Sequence, residues 1–321
     1  MSGFNNSKMK FGIIGNDQMV QSCILALEGM GGVEVSFLLY DLAKVNPMSP
    51  LDVFCEKHKI SFRGVEKLNT DENYEYIKTC APDYILSISN FFVIKEKILS
   101  IPNRGTINFH NSAPSKYHGL NIPSWVIING EKSHGAMWHF VEKTIDTGDV
   151  IAFEEFPLGR NETAASLMVK CIKKGIELFP KVIDQLLNNN VTRIPQSTTS
   201  SYYGKNDFPD GNGVIDFHKC GREIDQLVRG LNFLPFTNTF LNAKVNINGR
   251  ELIINSIDLI ETEGKTYPGR ISLITEEDFH VDCKDCVLNI TGAMDDNQEE
   301  YEGYSIAKYF GVTQNTVLKN Q

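Results

Sequence analysis

Three side chains in the middle of the sequence have the types and spacing to do chemistry together. Asn108 and His110 alternate at the end of the run Gly105 to His110, and Asp146 follows in the string Ile145-Asp146-Thr147-Gly148-Asp149. Alternate residues of a strand share a face, so the amide and the imidazole emerge side by side. Asp146 lies in a turn signal between a strand ending near Val141 and another over Val150 to Phe153. An amide, an imidazole and a carboxylate delivered from separate loops suit transfer of an acyl group between nitrogens. Such a reaction passes through a tetrahedral oxyanion, which needs a hydrogen-bond donor where charge develops. It also needs a group of near-neutral pKa to move a proton between the amines, and imidazole supplies it. The carboxylate orients the ring, holds its charged form or positions a relay water. Singly, an N-x-H or a DTGD is more often a strand end or a turn; the specificity lies in the combination.

The elements that must hold these groups are read from periodicity. Lys10 to Ile14, Val33 to Tyr40, Tyr84 to Ser89, Gly105 to His110 and Gly135 to Val141 read as strands. Helical spacing predicts helices over Val20 to Leu27, Pro50 to His58, Glu72 to Thr79 and the long stretch Ala165 to Leu187. This alternation predicts an α/β fold with a mostly parallel sheet covered on both faces. Ligands of such sheets gather at strand ends. Pro114, Gly119 and Pro123 predict turning backbone after His110 in place of a regular element. Residues 1–188 form the expected catalytic domain. Residues 189–212, rich in Asn, Ser, Thr, Pro and Gly and without helical or strand periodicity, read as a linker. Residues 213–321 carry one helix, Arg222 to Leu231, and short runs read as strands: Thr239 to Ile247, Glu251 to Ile260, Gly269 to Ile274, Phe279 to Cys283 and Val287 to Ile290. Punctuated by Asn248-Gly249 and Pro268-Gly269, they predict a small β-rich open barrel, with a last helix near Ser305 to Phe310.

Composition narrows the setting. With 321 residues and 41% apolar composition the chain exceeds the size at which a single core usually splits. Lys and Arg total 31 against 40 Asp and Glu, a formal charge of -9 that gives no general attraction to phosphate backbones. No apolar run approaches the roughly 20 residues of a membrane span, and the start MSGFNNSKMKFGIIG lacks a signal-peptide layout. A cytoplasmic location and no membrane partner are expected. The seven cysteines, an odd number scattered over a long chain, read as reduced thiols. Cys283-Lys284-Asp285-Cys286 has metal-ligand spacing but no second pair to complete a site, so it reads as a turn and no metal is expected. His134 and His139 are candidates for an acceptor pocket, with simple hydrogen bonding the commoner role; Trp125 and Trp138 read as packing residues.

The stretch from Thr106 to Glu155, with Asn108, His110, Ser112, Pro114, Gly119, Gly135, Asp146, Gly148 and Asp149, resembles the 10-formyltetrahydrofolate-dependent formyltransferases. That family includes methionyl-tRNA formyltransferase, glycinamide ribonucleotide transformylase and nucleotide-sugar N-formyltransferases. The resemblance implies a Rossmann-like catalytic domain, 10-formyltetrahydrofolate as donor substrate, and catalytic positions at Asn108, His110 and Asp146. It implies a folate pocket beside Ser89, Asn90, Phe91, Phe92, Val93 and Ile94 and the loop holding Glu142 and Ile145, with backbone groups reading the pterin. Asn111 stands where many relatives carry Pro, and the next loop reads APSKYHG; neither change removes a reactive group. The resemblance continues through Gly213 to Phe217 and Leu227 to Phe236 into an open-barrel C-terminal domain of the tRNA formyltransferase type.

The acceptor is read from surfaces outside the three groups. Where tRNA formyltransferases carry a basic insertion after the second strand, this chain reads DLAKVNPMSPLDVF, with Lys44 alone. Asp282 to Glu302 carries seven carboxylates and one lysine. The phrases GLNIPSWVIINGEKSHGAMWH and LVRGLNFLPFTN look closer to formylation domains associated with nonribosomal peptide synthetases. The expected acceptor is therefore the primary amine of an aminoacyl group, on an aminoacyl carrier protein or on aminoacyl-tRNA. A methionyl-tRNA formyltransferase activity, a nucleotide-linked amino sugar as acceptor, a non-catalytic folate-binding or carrier-docking module, and hydrolysis of the donor to formate stay open as alternatives.

Overall fold

The computed structural model describes residues 8–44, 50–197 and 200–318. The chain folds as two compact units, one from Met1–Gly119, Gly135–Phe156 and Lys170–Tyr202 and the other from Leu120–His134, Pro157–Val169 and Tyr203–Gln321. The elements run β1 (Met9–Gly15), α1 (Asp17–Glu28), β2 (Val33–Asp41), α2 (Leu51–His58), β3 (Phe62–Val65), α3 (Asp71–Cys80), β4 (Tyr84–Ile88), α4 (Glu96–Leu99), β5 (Gly105–His110), β6 (Tyr117–Gly119) and α5 (Ile122–Ile128). They continue as β7 (Ser133–Phe140), β8 (Val150–Pro157), α6 (Ala164–Leu187), β9 (Ser201–Tyr203), α7 (Gly221–Leu231), β10 (Lys244–Ile247), β11 (Arg250–Ile260), β12 (Ile271–Ile274), β13 (Phe279–Asp282), β14 (Val287–Met294), β15 (Glu300–Tyr301) and α8 (Gly303–Phe310).

In the first unit a seven-stranded sheet has the order β3-β2-β1-β4-β5-β7-β8. Strands β3 to β5 along this order are parallel, and β7 is antiparallel to β5. Strand alternation supplies two apolar faces. Ile13, Leu38 and Leu86 point into one core with Trp138 and Phe179, while Ile14, Leu39 and Ile85 point into a second with Ile77 and Ile98. Each such buried side chain stabilises the fold by roughly 1.5–3 kcal/mol relative to exposure. The chain order reverses between β1 and β4, which opens a crevice at their carboxyl ends. Gly15 ends β1 there because a Cβ would lie 1.9 Å from the Ile88 carbonyl. Asn16, buried beside it, fastens the loop by donating to the Asp41 carbonyl (3.0 Å) and accepting from the Asp41 N–H (3.1 Å).

In the second unit an antiparallel sheet has the order β10-β11-β14-β13-β12, with β15 added to β14. It is open: among the described residues its edge strands β10 and β12 do not pair with each other. The β10–β11 hairpin turns through Asn248 and Gly249, whose φ values of 54° and 74° are those of a type I′ turn. Ile224, Val228 and Leu231 form the buried stripe of α7 and pack in one core with Leu252, Leu288 and Ile290 of the sheet. Among the described residues no helix is long and apolar enough to cross a membrane.

Some expectations need correction. The backbone after His110 does form a regular element: α5 spans Ile122–Ile128, with Pro123 in its first turn, where the missing N–H costs nothing. β3, too short and polar for a periodic signal, was not expected. The stretch 189–212 contributes β9, which pairs with β6. The strand expected over Thr239 to Ile247 begins only at Lys244. The Asn238 side chain holds the preceding turn by donating to the Leu231 and Leu241 carbonyls and accepting from Phe240 N–H, a local alternative to sheet pairing. The start of the sequence, part of the poorly basic stretch (45–49) and part of the connecting segment (198–199) lie outside the described residues.

Candidate active site

The carboxyl ends of β4 and β5 set the polar groups of the first unit. Ser87 and Asn108 are paired neighbours across these strands. The Ser87 hydroxyl donates to Asn108 Oδ1 at 2.7 Å. The Asn108 amide then turns its Nδ2 toward His139 Nε2 (3.2 Å) and Asp146 Oδ1 (3.5 Å). His139 lies opposite Asn108 on β7, so sheet register alone brings it in. Its Nδ1 contacts the Phe140 carbonyl at 2.8 Å. A carbonyl only accepts, which assigns the proton to Nδ1 and leaves Nε2 to accept from Asn108.

His110 is buried at the end of β5, and its Nε2 lies 3.0 Å from the Tyr117 carbonyl. The same reasoning puts a proton on Nε2 and the lone pair of the neutral ring on Nδ1. Asp146 Oδ2 stands 3.6 Å from His110 Nε2, and Oδ1 stands 3.6 Å from His139 Nε2. Burial pushes the His110 imidazole below its ordinary pKa; Asp146 opposes this and His139 adds to it. Burial alone would raise the Asp146 carboxyl, but the attraction of the His110 ring and the Gly119 N–H outweigh it and hold the group well below the usual carboxylate range. At neutral pH the site therefore pairs a neutral imidazole with an ionised carboxylate.

The turn carrying Asp146 is built to present it. Asp146 itself takes φ +56°, a left-handed conformation that aspartate adopts more readily than most residues. Gly119 N–H donates to Asp146 Oδ2 at 3.0 Å. Gly148 admits no side chain, since a Cβ would lie 1.9 Å from the Phe140 carbonyl. Gln196 Nε2 donates to the carbonyls of Asp146 and Gly148, each at 2.8 Å.

The three expected groups, Asn108, His110 and Asp146, are thus brought together. The segment Ser89 to Ile94 follows directly from β4, and Asn90 links it to the cluster by donating to Ser87 Oγ at 3.2 Å. Asn90 also closes its own turn with the Phe92 N–H and carbonyl, both at 2.9 Å. Ser89 has φ +47°. Phe91 and Val93 are exposed, whereas the Ile94 side chain is buried in the apolar core. Glu142 and Ile145 are exposed on the loop before Asp146, and neighbouring Lys143 reaches Glu96 of α4 at 2.8 Å. Sequence reasoning missed Ser87 and Gln196. A serine inside the apolar run YILSI was the available signal for Ser87; Gln196 had none, lying in a stretch of irregular composition.

Elsewhere, Trp138 packs fully buried and donates from its indole to the Gly175 carbonyl at 2.9 Å, and Trp125 stacks on Tyr203. Lys44 stands over the Phe91 ring at 5.5 Å. Cys283 and Cys286 form the turn between β13 and β14, with sulfurs 3.3 Å apart beside the Asp285 carboxylate.

A buried neutral base backed by a carboxylate, with an amide donor alongside at the carboxyl edge of an open α/β sheet, is the equipment of an acyl-transferring enzyme. Residues 39–183 match the family model described as formyl transferase, and residues 209–311 match that of the formyl transferase C-terminal domain. The chain is 33% identical over 236 residues to methionyl-tRNA formyltransferase of Alkaliphilus oremlandii, covering 74% of this chain and 71% of the relative. It is 29% identical over 242 residues to the enzyme of that name from Clostridium tetani, covering 75% and 76%. Among solved structures, the N-formyltransferase from Helicobacter canadensis in complex with folinic acid and dTDP-3-aminofucose has the same fold, with TM-score 0.67, 22% identity and coverage of 91% of this chain and 100% of that one. The chain belongs to the formyl transferase family and is a formyltransferase.

Proposed function

We propose that this enzyme moves the formyl group of 10-formyltetrahydrofolate onto the primary amine of an aminoacyl group, with Asn108, His110 and Asp146 as its catalytic residues. The observation that carries the reading is the buried cluster in which Asp146 lies 3.6 Å from His110 Nε2 and within 3.5 Å of Asn108 Nδ2. The amine attacks the formyl carbon, and the oxygen of the resulting tetrahedral species takes the hydrogen bond of Asn108 Nδ2. The long Asn108 to Asp146 contact is the weakest of that amide's bonds and yields to the developing oxyanion. His110 Nδ1 accepts the proton of the attacking amine and returns it to the departing folate nitrogen. Asp146 stabilises the imidazolium between the two transfers. The folate lies beside Ser89 to Ile94 and the loop with Glu142 and Ile145, whose proximity to the cluster through Asn90 and Ser87 supports that placement. Residues 1–188 supply the catalysis in this reading, 189–212 the connection and 213–321 the accessory domain, in the cytoplasm.

Charge supports a carrier-borne aminoacyl group: the net charge is -9, Lys44 is the sole cation of residues 41–54, and residues 282–302 hold seven carboxylates against one lysine. The relatives named methionyl-tRNA formyltransferase favour a second reading, in which the aminoacyl group rides on tRNA. The test offers 10-formyltetrahydrofolate with an aminoacyl-phosphopantetheine mimic, charged initiator tRNA and a nucleotide-linked amino sugar. Formylation of either aminoacyl acceptor agrees with the proposal and identifies the carrier. Formylation of the amino sugar alone, or release of formate without product, contradicts it.

A further inference from the structure

We propose that Gln196 is a positioning residue for the reaction, holding the Asp146 carboxylate against His110 from a segment outside the α/β core. The inference rests on the assignment of Asp146 as a catalytic residue. Asp146 occupies a left-handed conformation (φ +56°), so the direction of its carboxylate depends on how its turn is held. Gly119 fixes the carboxylate end of the residue. Gln196 fixes the backbone end: its Nε2 has two hydrogens, and both are spent on the turn, one on the Asp146 carbonyl and one on the Gly148 carbonyl, at 2.8 Å each. Its Oε1 accepts from Ser115 N–H at 3.0 Å. One half-buried amide thereby joins the loop after β5, which carries the Tyr117 carbonyl that orients His110, to the turn that carries Asp146.

The segment around Gln196 is itself fastened to those loops. Ile194 and Val150 exchange backbone hydrogen bonds of 2.9 and 2.8 Å. Ser197 N–H donates to Ser115 Oγ at 2.7 Å, Ser200 meets His118 Nδ1 at 2.8 Å, and Ser201 N–H donates to the Lys116 carbonyl at 3.0 Å. Gln196 therefore has little freedom to move away, and its hydrogen bonds act as fixed constraints. Glutamate at this position would keep the acceptor for Ser115 but, when ionised, set a negative oxygen against two carbonyls. Alanine would remove all three bonds.

Displacement of a catalytic group by about 1 Å costs on the order of 10²-fold in rate. Gln196→Ala and Gln196→Glu are each expected to lower kcat by roughly 10- to 100-fold with little change in donor KM. The experiment measures formyl transfer and its pH profile for wild type, Gln196→Ala, Gln196→Glu, Asp146→Asn and the double variant Asp146→Asn/Gln196→Ala, with thermal unfolding of each. If Gln196 works through Asp146, the double variant is no slower than Asp146→Asn alone. The acid limb of the Gln196→Ala profile also moves to lower pH, because His110 loses the carboxylate that raises its pKa. Wild-type rates in both Gln196 variants overturn the inference while leaving Asp146 catalytic. So does a lower Tm and rate with an unmoved acid limb and an additive double variant, which marks a merely structural role. A wild-type rate in Asp146→Asn instead overturns the catalytic assignment itself.

Discussion

Replacing Asp146 by asparagine removes one negative charge and almost no volume, so it isolates the electrostatic part of the site. Asp146 Oδ2 lies 3.6 Å from His110 Nε2 in a largely buried setting. Opposite charges at about 4 Å interact by about 4 kcal/mol when the effective dielectric is near 20. In the proposed mechanism the neutral ring gains little of this, whereas the imidazolium formed as His110 takes the proton gains most of it. The carboxylate therefore acts chiefly on the transition state. A loss of about 3–4 kcal/mol there corresponds to a roughly 10²- to 10³-fold fall in kcat. The amide oxygen of the substituted side chain can still accept from Gly119 N–H, which limits the change in turn geometry. The assay is steady-state formyl transfer across pH, with thermal unfolding as the control for folding. Burial already depresses the His110 pKa and Asp146 opposes that, so the variant's acid limb moves further toward low pH. A rate within about threefold of wild type, or an acid limb moved toward high pH, would refute the electrostatic role.

Two further outcomes test the local physics. Gly148→Ala drives a Cβ to within 1.9 Å of the Phe140 carbonyl, so the Asp146 turn shifts; chemical unfolding is expected to register a loss of about 1–3 kcal/mol and activity a loss on the order of 10²-fold. Stability also carries the signature of His110. Its folded pKa is lowered by burial, so below the ordinary imidazole value near 6.5 the unfolded chain binds a proton that the folded chain does not. Stability is fully present above that value and falls as pH drops toward the lowered one. Urea unfolding at about pH 7.5 and about pH 5.5 should show wild type losing up to about 1 kcal/mol more than His110→Gln, and an equal loss in both would contradict the buried neutral ring.

What the sequence disclosed followed the physics of each signal. Asn108 and His110 were visible because strand alternation puts them on one face, and Asp146 because a turn is composed of turn residues. Their meeting was expected, but the geometry that achieves it was not visible, since it depends on β5 lying beside β7 and on a loop closing through Gly119 N–H. His139 was a candidate for an acceptor pocket, and that register sets it beside Asn108 instead. Pro123 read as a breaker although it opens α5, because the same missing N–H is harmless in the first turn of a helix. Ser87 hid within an apolar strand. Gln196 left no pattern because its role is three single hydrogen bonds from an irregular segment, which neither periodicity nor composition records. The β-rich character of residues 213–321 was legible from short apolar runs and Asn248-Gly249, whereas the pairing order that places β14 between β11 and β13 was not.

The central claim is that His110, Asn108 and Asp146 transfer a formyl group to an amine. Its most direct test mixes enzyme with 10-formyltetrahydrofolate bearing a labelled formyl group and an aminoacyl acceptor, in a single turnover, for wild type and His110→Ala. The account predicts labelled formyl-aminoacyl product appearing in step with tetrahydrofolate in wild type, and a rate lower by orders of magnitude in the folded variant. Equal rates in the two proteins, or label recovered only as formate, would contradict it.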